Sequence, residues 1–391
     1  MSNYVIRCGT LIDGTGADPR SDVEIEVVDG VIHEILPAGL SNLPDATVVD
    51  LSDLTVLPGL FDCHEHLGLD FGTDEYEQAM EPSEYYAAKS AINAEKILRA
   101  GITTVRTAGD KGNTGTVIKR AINDGVIAGP RLLTARRLVA RSGGHGWFIG
   151  READGPYGFR AAIRDEVRLG ADVIKIMVSG GAATEGSDVL AADMTDEEIV
   201  AAIDEAHRLG RRVMAHGHGG PGVRTAVQAG VDSIEHGLLL TKDDLTLMAE
   251  HGTALVSTAV YGLRVVSGTV DTIPQYVADK LQPTVMDALE TLRFAATLPL
   301  NVAVGSDTLH GAVWEEMDVL TRYGFSPMAA LQAGTINGAK VCGLDSKLGT
   351  IEAAKIADII AVEGDPLQNF GTLAHVPFVM RDGQIYVGGE I

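Results

Sequence analysis

The chain has 391 residues, 45% hydrophobic and 22% charged, a composition typical of a folded globular protein rather than a disordered one. Its 54 acidic residues outnumber its 31 basic ones, and the net charge of −23 would repel nucleic-acid phosphates and anionic lipid surfaces. We therefore expect neither nucleic acid nor membrane as a partner.

The N-terminal stretch MSNYVIRCGTLIDG shows no basic region followed by an apolar run of signal-peptide length. No stretch approaches the roughly 20 apolar residues of a spanning helix. Cys8, Cys63 and Cys342 are scattered, which favours a reducing compartment over a disulfide framework. The sequence thus predicts a cytoplasmic protein. We also expect a homo-oligomer that acts on a small-molecule substrate.

Short β-like runs separated by Gly and Asp turns occupy residues 1–57 and return in residues 345–391. An Asp-Gly pair, a frequent hairpin turn, lies at 29–30 in the first segment and at 382–383 in the second. We predict that the two ends pair into one small β-sandwich-like domain.

Residues 58–344 alternate apolar strand candidates with Ala-rich helical segments. The eight strand candidates are LFDCHEHL, ITTVRTAG, RLLTARRLV, DVIKIMVSG, RVMAHGHG, DSIEHG, ALVSTAV and NVAVGSD. Predicted helices include 83–99, 195–208, 241–251 and 274–297. Thr195 and Glu198 form a capping-box pattern at the start of one helix. Eight such units predict a (β/α)8 barrel with its site at the C-terminal strand ends. A doubly wound sheet is the alternative, but the Gly-rich dinucleotide pattern is missing.

The first barrel strand candidate carries His64 and His66, two residues apart. Side chains at that spacing on a strand share one face, so both imidazoles could bind one ion. The alternative is a pair of core histidines that fill the barrel.

In the fourth strand candidate, Ile174 and Ile176 would face the helices and direct Lys175 into the barrel, where a bare ammonium would be costly. A desolvated lysine can react with carbon dioxide, and the resulting carbamate could bridge two cations. Pairing with a buried carboxylate is the alternative.

Three further candidates lie at the ends of the fifth, sixth and eighth strands: His216, His236 and Asp307. His218 shares the face of His216, so the residues alone do not decide which histidine is a ligand. Asp307 could instead cap the following helix. Convergence of the whole set at one barrel mouth predicts a centre of two divalent ions. Zinc is favoured, with manganese, cobalt or iron possible.

These motifs, in this order, resemble the binuclear metal-dependent branch of the amidohydrolase superfamily, which includes imidazolonepropionase-like and prolidase-like hydrolases. The resemblance covers nearly the whole chain, through LPGLFDCHEHL, GITTVRTAG, SGGHG, DVIKIMVSGG, VMAHGHG, GVDSIEHG, GSDT and KIADIIAVEGDP. It selects His216 over His218 as a ligand. It implies a two-ion centre held by His64, His66, carboxylated Lys175, His216, His236 and Asp307.

The resemblance also implies catalytic roles beside the bridging one of Lys175. His145, in SGGHG, would polarise the scissile carbonyl, although an exposed loop histidine is the alternative. Asp307 would take a proton from the attacking hydroxide and pass it to the leaving nitrogen.

We expect the substrate to be a small amide, such as a dipeptide or an N-acyl amino acid, whose carboxylate an arginine could hold. The alternatives are a lactam or cyclic imide, a carbamate or urea, an ester or lactone, or deamination. A metal-binding protein without catalysis is opposed by the complete set of catalytic positions. Candidate substrate contacts are Arg136, Arg137, Arg141, His218, Tyr261 and His310.

Overall fold

The computed structural model describes residues 3–268 and 272–388. Its strands, in chain order, are β1 (Tyr4–Leu11), β2 (Arg20–Val28), β3 (Val31–Pro37), β4 (Thr47–Pro58), β5 (Leu60–Glu65), β6 (Ile102–Thr107), β7 (Arg131–Thr134), β8 (Val139–Ala140), β9 (Arg151–Glu152), β10 (Val173–Met177), β11 (Arg212–Gly217), β12 (Ser233–His236), β13 (Ala254–Ser257), β14 (Val302–Val304), β15 (Ile359–Val362), β16 (Phe378–Arg381) and β17 (Gln384–Val387).

The α-helices are α1 (Glu75–Met80), α2 (Ser83–Arg99), α3 (Thr114–Asn123), α4 (Gly155–Arg168), α5 (Asp196–Arg208), α6 (Gly220–Gln228), α7 (Lys242–His251), α8 (Ala259–Val266), α9 (Gln275–Leu281), α10 (Val285–Ala295), α11 (Val313–Arg322), α12 (Pro327–Ala333) and α13 (Ile336–Cys342). A short 3-10 helix spans Phe370–Ala374. None of the helices in these described residues is both long and apolar enough to cross a membrane.

The two ends of the chain build one seven-stranded sheet in the order β17-β16-β15-β4-β1-β2-β3. β4 joins the two segments, because it pairs parallel with β1 and antiparallel with β15. A bridge between Val31 and Ile356 brings the β3 edge back to the C-terminal segment, and residues such as Ile6, Ile25 and Phe378 share one core. The predicted β-rich domain of the two ends is confirmed, and its strands belong to a single continuous sheet.

The eight predicted barrel strands are all present, as β5, β6, β7 and β10 to β14. Two parallel ladders, β5 to β7 and β10 to β14, form most of the wall. The Asp172 amide donates to the Thr134 carbonyl (2.8 Å) and links the ladders. The wall closes between its first and last strands, where Asp307 N donates to His64 O (2.8 Å) and Glu65 bridges Asp307. The fold is therefore the predicted (β/α)8 barrel.

Local sequence explains where several helices begin and end. Thr195 accepts from the Glu198 amide in a capping box at the start of α5, as predicted, and Thr241 forms a second box with Asp244. The prediction of one helix over 274–297 is wrong. Pro283 stands between α9 and α10, and proline has no N–H to continue the helical hydrogen bonding.

Candidate metal centre

Four histidine rings meet at the C-terminal ends of the barrel strands. The His64 ring centroid lies 4.5 Å from that of His236 and 5.5 Å from that of His66. His216 extends the group, with its ring 4.6 Å from His236. The β-strands thus bring together the four histidines that the sequence analysis selected.

Lys175 and Asp307 belong to the same cluster. Lys175 Nζ lies 3.5 Å from His64 Nε2, and the two strand neighbours of the lysine pack into the hydrophobic core. The Asp307 carboxylate lies 3.9 Å from His66 Nε2 and 3.9 Å from His236 Nδ1. All six residues predicted as ligands therefore converge at one end of the barrel.

Hydrogen bonds leave one nitrogen of each ring free toward the cluster. His66 Nδ1 lies 2.5 Å from the Gly109 carbonyl, which can only accept, so Nε2 keeps the lone pair. His64 Nδ1 lies 2.8 Å from a Glu235 carboxylate oxygen, which leaves Nε2 beside Lys175. Such bonds to the outer ring nitrogen orient histidine ligands in metal sites.

The same reasoning applies to the other two histidines, with a different nitrogen in one case. His216 Nε2 donates a hydrogen bond to the Gly180 carbonyl (3.0 Å), so the lone pair of His216 Nδ1 is free to bind a metal ion. His236 Nδ1 lies 2.7 Å from the Thr258 hydroxyl, which leaves Nε2. Each histidine in the cluster thus offers one nitrogen to a metal ion.

Backbone strain accompanies two of the six residues. His236 and Asp307 have φ values of 69° and 63°, in the left-handed region that side chains other than glycine seldom adopt. Strained residues of this kind concentrate at functional sites.

The donor set fits divalent ions. Ligand atoms of His64, His66 and Asp307 lie within 4.8 Å of one another, as one ion would require. Imidazole nitrogen with carboxylate oxygen suits zinc and the neighbouring transition metals. His216 and His236 supply two further nitrogens beside this group.

Burial determines the charge state of the cluster. Burial, assisted by the charge of Lys175, lowers the pKa of His66 to about 4, and it holds the pKa values of His64, His216 and His236 well below the usual range. Burial also lowers the pKa of Lys175 to about 8. The histidines are therefore neutral, which is the form that binds metal.

His145 and His218 flank the cluster. The His145 ring lies 4.4 Å from His216, and its Nδ1 lies 2.9 Å from the Thr184 hydroxyl. The side chain of His145 is buried, so it is not an exposed loop histidine. His218 is also buried, and its Nδ1 has no hydrogen-bond partner among the described residues.

A cavity opens over the cluster. Its walls are mainly apolar, from Leu138, Phe148, Ile149, Met177, Leu238 and Leu281. Polar groups reach it from Glu75, Thr258 and Tyr261 in addition to the histidines. An apolar pocket with a few convergent polar groups is the usual form of a small-molecule site.

The structure does not bring the three predicted arginines to this cavity. Arg136 and Arg137 both pair with the buried Glu166, at 2.5 Å and 2.6 Å. Arg141 pairs with Asp193 at 2.8 Å. None of them lines the cavity, so their contacts are those of structural ion pairs.

Of the other three predicted substrate contacts, two line the cavity and one does not. Tyr261 and His218 line the cavity, whereas His310 lies beside it in ion pairs with Glu65 (3.2 Å) and Asp70 (3.1 Å). Glu75 lines the cavity but was not predicted from the sequence.

Sequence reasoning also missed a buried ion pair beneath the cluster. Arg106 donates to Glu235 (2.9 Å), and Glu235 in turn holds His64. Arg106 is the single charge of the strand candidate ITTVRTAG, and that pattern could have found it. Glu235 lies in DSIEHG, which also carries Asp232, so the same pattern does not single it out.

A (β/α)8 barrel with histidines, a buried lysine and an aspartate at its C-terminal mouth defines the class of amidohydrolase-type barrels. The sequence model of the Amidohydrolase family matches residues 55–388, and the chain belongs to that family. Members of this family are hydrolases and generally use divalent metals. The resemblance drawn from the sequence is therefore confirmed.

Similar proteins are alike over almost their whole length. A solved Xaa-Pro dipeptidase with methionine bound in its active site is 33% identical, with a TM-score of 0.92 and coverage of 99% of this chain and 100% of that one. The ochratoxinase of Aspergillus niger is 28% identical over 99% of this chain and 87% of its own. A 5-methylthioadenosine/S-adenosylhomocysteine deaminase of Symbiobacterium thermophilum is 25% identical over 93% and 86%. The chain is accordingly a hydrolase that acts on carbon–nitrogen bonds.

Proposed function

We propose that this protein hydrolyses the amide bond of a small molecule, such as a dipeptide or an N-acyl amino acid, at a centre of two divalent ions. The observation that carries the proposal is the convergence of four neutral histidines, each with one nitrogen free, on Lys175 and Asp307. Similarity to an Xaa-Pro dipeptidase and to an ochratoxinase supports an amide as the substrate.

The residues divide into two ligand groups with shared members. His64 and His66 would hold one ion, and His216 and His236 the other, with zinc favoured over manganese, cobalt or iron. Lys175, as a carbamate, and Asp307 would complete the set of residues that holds the ions. Bound ions would supply a hydroxide at neutral pH and polarise the substrate carbonyl.

The carbamate is supported by what surrounds Lys175. Lys175 Nζ lies 3.5 Å from His64 Nε2, and it forms no ion pair within the described part of the chain. An unpaired ammonium in the barrel would be costly. In the neutral amine, the nitrogen lone pair attacks the carbon of carbon dioxide and one N–H proton leaves. The product is an anion that can bridge two cations.

The Thr184 hydroxyl orients the ring of His145. Thr184 Oγ1 accepts from the Gly146 amide (3.1 Å), so its own hydrogen is available for His145 Nδ1. In the tautomer in which Thr184 donates to Nδ1, the ring hydrogen is on His145 Nε2, which can donate to the oxygen of a substrate carbonyl as negative charge develops there.

Asp307 moves the proton. It lies at the cavity wall, 3.9 Å from His66 Nε2 and 3.9 Å from His236 Nδ1. It takes the proton from the attacking oxygen, and it donates that proton to the leaving nitrogen as the carbon–nitrogen bond breaks. One carboxyl group thus acts first as base and then as acid.

A substrate screen tests this function. Metal-loaded protein is incubated with dipeptides, N-acyl amino acids, lactams, carbamates, ureas, esters and arylamides, and the products are identified by mass spectrometry. We expect cleavage of a dipeptide or N-acyl amino acid, abolished by a chelator and restored by zinc. Because a deaminase is among the relatives, the screen includes aminopurine nucleosides. Ammonia release from these without cleavage of any amide would overturn the proposal.

A further inference from the structure

Glu75 places a carboxyl group in the cavity wall. It occupies the first position of α1, after the first barrel strand, and accepts a hydrogen bond from the Tyr261 hydroxyl (3.1 Å) at the start of α8. Both side chains line the cavity above the histidines. Segments that follow the first and the seventh barrel strands therefore meet in this pair.

The carboxyl of Glu75 has no cationic partner. Among the described residues, no lysine, arginine or histidine forms an ion pair with it, and Tyr261 supplies its one hydrogen bond. A carboxylate can accept about four hydrogen bonds. Burial raises the pKa of Glu75 to about 7, against the lowering effect of the Tyr261 bond. The carboxyl of this half-buried residue thus keeps capacity to accept further hydrogen bonds from a substrate.

The carboxyl of Glu75 differs in charge from most of the cavity wall. Lys175 and Asp307 of the cavity wall belong to the proposed metal centre. Among the other described residues of the wall, Glu75 is the one with a charged side chain. Other residues of the wall, such as Leu281, Ala183 and Phe148, offer no charge to a polar substrate group. A substrate that fits must present donors, and preferably positive charge, to Glu75.

We propose that Glu75, oriented by Tyr261, binds a protonated amino group of the substrate. The preferred substrate is then an amide with a free α-ammonium group, a dipeptide rather than an N-acyl amino acid. This inference rests on the proposed function, because it identifies the substrate of the same site.

The chemistry of a dipeptide matches the position of Glu75. An ammonium group carries three donors, and its bonds to a carboxylate are charge-assisted. In a dipeptide the α-ammonium is two bonds from the scissile carbonyl carbon, so it must lie near the reacting centre. Glu75 lines the same cavity as Asp307 and the histidines of the proposed metal centre.

Two substrates that differ by one amino group test the inference. Methionyl-proline and 4-(methylthio)butanoyl-proline are compared, since the second lacks only the α-amino group. For the wild-type protein we expect kcat/KM to be about ten- to a hundredfold higher for the dipeptide, the range of a charged hydrogen bond. Glu75→Gln should remove this preference by lowering kcat/KM for the dipeptide alone.

Matched variants separate recognition from folding. Glu77→Gln changes an exposed glutamate of the same helix and should leave both substrates unaffected. Tyr261→Phe removes the bond to Glu75 and should weaken the preference less than Glu75→Gln. Equal rates for the two substrates in the wild-type protein, or equal losses for both in Glu75→Gln, would overturn the inference.

Binding without turnover keeps this result independent of the proposed function. Calorimetry with L-methionine and 4-(methylthio)butanoate as probes should show tighter binding of methionine, with the difference lost in Glu75→Gln. If methionine binds in this way and no amide is cleaved, the proposed function is wrong and the amine site stands. If amides are cleaved and neither probe distinguishes the variants, the amine site is wrong and the function stands.

Discussion

The strand ends and the loops of the barrel mouth differ in how far their sequences determine their contacts. His64, His66 and Lys175 lie on strands, and their side chains converge as alternation along a strand requires. Arg136 and Arg137 fall within the third strand candidate, RLLTARRLV, but β7 ends at Thr134, and neither they nor Arg141 line the cavity. A strand position fixes the direction of a side chain, whereas a loop position does not.

The loop arginines illustrate the physical reason. Arg136 has a φ of 62°, a left-handed conformation that turns its side chain toward Glu166 on α4. Nothing in the local sequence indicates this turn or the distant partner. Glu75, which does reach the cavity, comes from a helix start more than 60 residues earlier in the chain.

Loss of the strand-borne lysine should have the largest effect. Lys175→Ala removes the group proposed to bridge the ions, so metal content should fall from about two equivalents to one or fewer. Turnover should fall by more than the ~10²–10⁴ that one proton-transfer group contributes. Metal analysis and amide hydrolysis measure both, and bicarbonate with a short carboxylic acid should restore part of the activity. Lys347→Ala, at an exposed lysine, is the control. A wild-type rate in Lys175→Ala would exclude the bridge.

The aspartate at the eighth strand end should affect chemistry more than metal binding. Asp307→Asn keeps the size of the side chain and one oxygen ligand but cannot accept a proton. We expect kcat to fall ~10²–10⁴-fold while most of the metal remains. Steady-state kinetics and metal analysis on one preparation test this, with Asp345→Asn at an exposed site as control. Retention of normal kcat would remove Asp307 from the proton transfer.

His145 tests the loops of the barrel mouth, since it lies on a loop and yet reaches the cavity. His145→Ala should lower kcat ~10²–10³-fold, the effect of losing one donor to the developing oxyanion, and leave both ions in place. Thr184→Val, which removes the hydroxyl beside Nδ1, should have a smaller effect in the same direction. His375→Ala, at an exposed histidine, is the control. Loss of an ion, or an unchanged kcat, would return His145 to an ordinary loop residue.

Much of the fold was predictable because each element carries a local pattern. Eight apolar runs at βα spacing gave the eight strands, and the Thr195 capping box gave the start of α5. The continuous terminal sheet was not predictable in detail, since its order depends on β4 pairing with both ends of the chain. The break at Pro283 was visible in the sequence, but the helical pattern on both sides outweighed it.

The candidate site, like the fold, was predictable from the sequence only in part. Positions of the six candidate ligands follow from strand periodicity and from the resemblance to a family. The hydrogen bonds that orient them, from Glu235 and from the Gly109 and Gly180 carbonyls, depend on loops and neighbouring strands that the sequence does not bring together. The same is true of the Glu75–Tyr261 pair.

The loop arginines give the smallest expected effect on catalysis and the sharpest test of the comparison. Arg136→Ala leaves the buried Glu166 with one guanidinium less, so the free energy of unfolding should fall by about 3 kcal/mol. Arg141 is half-exposed in its pair with Asp193, and Arg141→Ala should cost under about 1 kcal/mol. Chemical denaturation measures both. In each variant, KM for methionyl-proline and for an N-acyl amino acid should stay within about twofold of the wild-type value, because neither arginine lines the cavity. A rise in KM of tenfold or more in a stably folded variant would show that an arginine does hold the substrate carboxylate. The sequence would then have predicted the contacts of this loop as well as those of the strands.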